Sequence, residues 1–190
     1  MNNVTVNKSI RLSQHFTLGE MTRTGTGIPN IPSRVSIENL RNICENWLEE
    51  MRRRYNERYV FEEGGRFFEE GGRRKEEGEY SKGREETEEA EETEEAEEPI
   101  VITSGYRSPE VNRAVGGSPT SNHLTGCAVD IRCAGVEQAI RYAAILLDIA
   151  DEWEQDYDEL LIERNKSGRY WVHFAVRPKE NRRKTLFLQK

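Results

Sequence analysis

Residues 102–131 read ITSGYRSPEVNRAVGGSPTSNHLTGCAVDI, and this stretch decides the fold of the chain. A short β-branched run opens it, a string of Ser, Gly, Pro and Asn follows, and AVDI closes it. That is strand, turn-rich loop, strand. His123 is one of only three histidines, and Asp130 follows seven residues later. In a strand, Ala128 and Asp130 point one way and Val129 and Ile131 the other. A carboxylate on a strand otherwise made of Cys, Ala, Val and Ile needs a partner, because an unpaired buried charge is costly. A further histidine, His173, lies in the apolar segment YWVHFAV (170–176), on the face of Trp171 and Ala175. Two imidazoles and one carboxylate make the ligand set of a zinc site that keeps a position open for water. Spacing alone leaves another reading open, with Asp130 paired to an arginine and each histidine a satisfied core residue.

Outward from this stretch, the flanks read as an α+β domain. Pro99–Thr103 restarts the fold as a buried strand. Glu110–Val115 is one or two helical turns ended by Gly116 and Gly117. Ala128–Ile131 is a strand and Val136–Ile149 a helix. Tyr157–Glu163 and Arg169–Val176 form a hairpin across Asn165–Gly168. Upstream, Leu40, Ile43, Cys44, Trp47, Leu48 and Met51 recur at helical spacing to about Tyr55, with Ser33 or Ser36 as cap. Before that helix come a frayed arm of ten residues, a docking turn at His15–Met21 that buries Phe16 and Leu18, and a Gly/Pro loop at 25–32. The expected architecture is a small, mainly antiparallel sheet with helices packed on one side.

The 190 residues suit one domain, 1–190. Charged residues make up 33% and hydrophobic ones 35%, which points to a part that does not fold. That part is 60–98, where FEEGGR occurs twice and then EETEEA twice. Residues 62–98 hold 17 Glu against 6 Lys or Arg, so this segment carries −11 and the rest of the chain +4. It is expected to be a disordered or loosely helical acidic insertion. A mildly basic remainder is compatible with an anionic polymer as partner. No run of eighteen apolar residues suggests stable membrane insertion, and MNNVTVNKSIRLSQHF lacks the apolar core of a secretory signal. Cys44, Cys127 and Cys133 have no zinc-like pairing and are odd in number, so reduced core thiols are expected. Synthesis in the cytoplasm follows. A nucleic-acid role finds no basic–aromatic stripe, and the basic tail Arg177–Lys190 is read as solvated or as an aid to holding an anionic polymer.

The phrases SGYRSP (104–109), VGG (115–117), SxHLTGxAxDI (121–131) and WVHF (171–174), in that order, resemble peptidase family M15. These zinc metallopeptidases include D-alanyl-D-alanine carboxypeptidases and phage L-alanyl-D-glutamate endolysins. SxHFTLxE at 13–20 is similar to the opening of the family's short single-domain branch. The resemblance spans about Leu12 to Pro178, broken by the acidic insert, and implies a hedgehog/DD-peptidase-like fold. It implies His123, Asp130 and His173 as ligands of Zn2+, and it leaves His15 outside the ligand set. It places Arg107 in the cleft, for substrate binding and transition-state stabilisation, and Ser121 as a possible donor to substrate. From the residues alone, Arg107 reads equally as a salt bridge to Asp130 or Glu110, and Ser121 as the cap of a turn.

The family commonly has an acidic residue three positions before the last histidine, where this chain has Tyr170. The short branch instead carries an acid at the end of the preceding strand. This implies Glu163 as general base, with Glu159 and Asp158 as fallbacks. A hairpin register of Glu163 opposite Trp171 would put Glu163 on the face of His173. The implied activity is hydrolysis of an amide in a peptidoglycan stem peptide or cross-bridge, by a phage- or prophage-associated protein. It would reach the wall after lysis, holin release or virion delivery. A non-catalytic zinc-containing wall-binding module, or a virion structural module, is the alternative.

Overall fold

Ser33 starts the first long helix, its hydroxyl accepting the Ser36 N–H at 3.1 Å. In the computed structural model, which describes residues 7–61 and 97–189, this helix is α2 (Arg34–Ile43) and follows a short α1 (Leu18–Met21). It runs through a π-helical stretch, Cys44–Leu48, into α3 (Glu49–Tyr55). Leu40, Ile43, Cys44, Trp47, Leu48 and Met51 are all buried, so the apolar stripe holds across the π stretch, whose wider turns shift its register. The later elements are β1 (Ile102–Ser104), α4 (Pro109–Ala114), a 3-10 turn (Asn122–Thr125), β2 (Ala128–Cys133) and α5 (Val136–Glu152). β3 (Glu159–Arg164), β4 (Tyr170–Ala175) and β5 (Lys184–Gln189) complete the fold.

The strands form one sheet in the order β1-β2-β4-β3-β5, antiparallel except for β3 with β5. One face carries Val129, Ile131, Leu160, Val172 and Phe174, all buried. Trp47 meets Phe174 there, with ring centroids 5.0 Å apart. Tyr55 meets Tyr142 of α5 at 4.8 Å. Helices thus cover this face and leave the other for polar side chains. The mixed α+β class and the mainly antiparallel sheet agree with the sequence reading.

Two local expectations change. Of the arm expected at 1–10, residues 7–10 are not frayed and 1–6 lie outside the described residues: Leu18 N–H donates to the Ile10 carbonyl at 2.8 Å, Gly19 N–H to the Lys8 carbonyl at 3.0 Å, and the adjoining Arg11 bridges Thr17. The Thr17–Glu20 capping box fixes this turn and buries Phe16 and Leu18. The tail does not stay wholly solvated either. Lys184–Gln189 pairs in parallel with β3, so its backbone groups are satisfied although most of its side chains remain exposed.

The chain divides into two compact units, Met1–Tyr55 with Pro99–Lys190, and Asn56–Glu98. In the second, Asn56–Phe61 is π-helical, and the Asn56 amide exchanges hydrogen bonds with the Glu98 backbone. The expected disordered insertion falls mostly on 62–96, outside the described residues. Cys44, Cys127 and Cys133 are free and buried. Among the described residues, no helix is long and apolar enough to cross a membrane.

Candidate metal centre

The site begins at a glycine. A Cβ on Gly105 would lie 2.5 Å from the Met21 carbonyl oxygen, so only glycine lets the SGYR loop sit against α1. Tyr106 N–H then donates to that same carbonyl at 2.8 Å. So placed, the Gly105 carbonyl lies 2.5 Å from His123 Nδ1. A carbonyl only accepts, so Nδ1 carries a proton, and Nε2 is the ring atom left to ligate a metal. Gly126, at φ 72°, ends the 3-10 turn that holds His123.

Asp130 and His173 are cross-strand partners on β2 and β4, which brings residues distant in sequence side by side. His173 Nδ1 lies 2.9 Å, and His123 Nε2 3.2 Å, from the same oxygen, Asp130 Oδ1. One ligand atom from each of the three residues falls within 4.8 Å of the others, and all three residues are buried. Burial opposes ionisation of Asp130, but the two histidines outweigh it and hold the carboxyl well below the usual range. For His173, burial works against protonation, yet Asp130 and Glu159 raise its pKa to about 9.

These residues fit a zinc ion. With Nδ1 of His123 donating to Gly105, a neutral ring turns the lone pair of Nε2 toward the lone pairs of Asp130. That arrangement needs a cation between the two, or a second proton. Two histidines and a carboxylate are the nitrogen and oxygen donors zinc takes at sites with an open position.

Around the cluster is a cleft of about 710 Å³ whose lining includes Arg107, Ser121, Glu159, Glu163, Trp171 and Lys184. Arg107 donates through Nε to Ser104 Oγ at 2.8 Å and through Nη2 to Asp130 Oδ2. The salt bridge to Asp130 considered from sequence therefore forms, and it forms inside the cleft. Ser121 Oγ accepts the His123 N–H at 3.4 Å, so it caps the turn and lines the cleft as well. Glu163 pairs with Trp171, is 2% exposed, and shares the His173 face. Tyr170 falls on the opposite face, its ring 6.3 Å from Phe187, so the position three before His173 faces away from the cluster. His15 lies apart from the cluster, its Nδ1 2.6 Å from Glu49 Oε2.

The fallback acids separate. Glu159 Oε2 lies 3.7 Å from His173 Nε2. Asp158 is fully buried and is bound by Asn122 (2.7 Å), Arg182 (2.7 Å) and Arg177 (3.1 Å). Sequence reading missed Asn122, Arg182 and Lys184 as cleft residues. Strand alternation from Glu163 back to Glu159 was the available signal for Glu159. Lys184 becomes visible only once the tail is recognised as a strand.

A buried His–Asp–His group that could hold a metal ion thus lies in this cleft. The sequence profile of the family Peptidase M15 matches residues 85–159. Over that span the chain is similar to peptidase family M15, and the match supports membership of it. The matched span includes Arg107, Ser121, His123 and Asp130 and ends before Glu163 and His173. No curated protein matches the chain.

Proposed function

We propose that this chain is a zinc-dependent peptidase of hedgehog/DD-peptidase-like fold, hydrolysing an amide bond in the stem peptide or cross-bridge of peptidoglycan. Phage or prophage origin, with action on the wall after lysis, holin release or virion delivery, completes the proposal. The observation that carries it is the convergence of His123, Asp130 and His173 in a cleft that also holds Glu163 and Arg107.

His123, Asp130 and His173 would hold the ion. Zinc in such a site polarises a carbonyl and brings the pKa of water towards neutrality. Glu163 accepts the proton of the attacking water and returns it to the leaving amine. Its near-complete burial keeps bulk water from that transfer. Glu159 is a poorer base: contact with His173, against the opposing effect of burial, and then Lys184 hold its pKa at about 2. Arg107 presents a planar fork of donors to the developing oxyanion. Ser121 adds a hydroxyl on the loop side of the cleft, for the substrate backbone. No protein nucleophile takes part, so no covalent intermediate forms.

Incubation with peptidoglycan of several wall chemotypes is expected to release new free amino groups, with mass spectrometry of the products identifying the bond. The second reading is a non-catalytic wall-binding or virion structural module, which Tyr170 in the usual acidic position suggests from sequence although its side chain faces away from the cluster. Zinc binding without release on any chemotype would transfer the assignment to it.

A further inference from the structure

His173 turns Nδ1 toward Asp130, and its other nitrogen faces a carboxylate, Glu159, that the proposed chemistry leaves unused. Glu159 is itself restrained from three directions. Lys184 Nζ and Arg182 Nη2 each lie 3.1 Å from Oε1, and Asn122 Nδ2 lies 3.3 Å from Oε2. Its side chain is 16% exposed, while those of Arg182 and Lys184 reach it from the surface at 51% and 42% exposure. The restraining groups come from distinct places: Lys184 opens β5, Arg182 lies just before it, and Asn122 directly precedes His123 on the 3-10 turn. Asn122 also donates to Asp158 at 2.7 Å, which ties the turn carrying His123 to the start of β3.

We infer that Glu159 is a positioning residue for the metal centre, holding His173 so that Nε2 carries the proton and Nδ1 is offered as the ligand, with Lys184 fixing the Glu159 rotamer from the edge strand. At 3.7 Å the present contact is longer than a hydrogen bond. With Nδ1 given to a metal ion, the proton of the neutral ring is left to Nε2, where the Glu159 charge favours it, because a carboxylate attracts an N–H and repels a lone pair. Partners of this kind fix the ring orientation of ligating histidines and raise their basicity. Glu163 is the natural contrast: it shares the face and the charge of Glu159 but has the reacting water as its target. The parallel strand β5, unexpected from sequence, thereby acquires a task at the site.

The inference rests on the metal reading of the site and is independent of which bond is cut. Its test is zinc affinity, measured by competition with a chromophoric chelator on the full chain. Wild type, Glu159→Gln, Glu159→Ala, Lys184→Met and Glu163→Gln form the set, with thermal unfolding of each metal-free protein as control. Glu159→Ala is expected to weaken zinc binding by about 10–100-fold. Glu159→Gln keeps the shape and an acceptor, so a smaller loss is expected, and Lys184→Met follows in the same direction. Glu163→Gln is expected to bind zinc as wild type does. A cobalt-substituted Glu159→Gln protein is expected to show a changed visible spectrum, which a merely structural role would not produce. Wild-type zinc affinity and cobalt spectrum in both Glu159 variants would overturn the inference while leaving the peptidase reading intact. Failure of the wild type to bind zinc would overturn both.

Discussion

Glu163→Gln is expected to lower hydrolysis of wall peptide by about 10²–10⁴-fold, the usual contribution of a positioned acid–base group. The substitution keeps the volume of a side chain that is 2% exposed and removes its charge together with its capacity to take and return a proton. Zinc stoichiometry and the unfolding midpoint are therefore expected to match wild type, the latter within about 1 kcal/mol. Steady-state kinetics with metal analysis of the same preparation reads both. Activity within a few-fold of wild type would remove Glu163 from its role. Asp158, engaged by two guanidinium groups and an amide, would be a poor replacement.

Asp130→Ala is expected to have the largest effect on the protein itself. Asp130 joins three cationic or ligating groups: Oδ1 faces both histidines and Oδ2 takes the Arg107 guanidinium. Its removal deletes one of the three proposed metal ligands and leaves Arg107, with a side chain 18% exposed, without its carboxylate. Breaking a buried pair from one side costs about 3–5 kcal/mol. Bound zinc and hydrolysis are both expected to fall to background, and chemical denaturation of the metal-free protein is expected to show the stability loss. Stoichiometric zinc in the variant would contradict the ligand assignment.

What the sequence disclosed about this site follows from local physical rules. Alternation along AVDI and WVHF places Asp130 and His173 on one sheet face, and β2–β4 pairing then makes them direct neighbours. The five-residue connection between β3 and β4, 165–169, sets Glu163 opposite Trp171. The helical stripe from Leu40 to Met51 survives a π stretch because burial depends on facing the core, not on an unbroken hydrogen-bond pattern. What stayed hidden depends on tertiary closure. Lys184–Gln189 follows a charged run, RPKENRR (177–183), that masks its strand character, and its parallel pairing with β3 requires a return of the chain that no local pattern encodes. The Arg107–Asp130 bridge and the Asn122–Glu159–Lys184 network join residues 23 to 37 positions apart for the same reason. Tyr170, a puzzle as a replacement for an acid, is explained by parity: it packs on Phe187 across the sheet from His173.

The most direct test of the central claim, that His123, Asp130 and His173 hold a zinc ion on which hydrolysis depends, is chelator treatment followed by zinc titration. Bound metal and release of free amino groups from purified peptidoglycan are followed in the same samples. Activity that disappears with the metal and returns in step with zinc, saturating at stoichiometric binding, is the expected result. Hydrolysis that persists in metal-free protein, or that fails to return when zinc is bound, would contradict it.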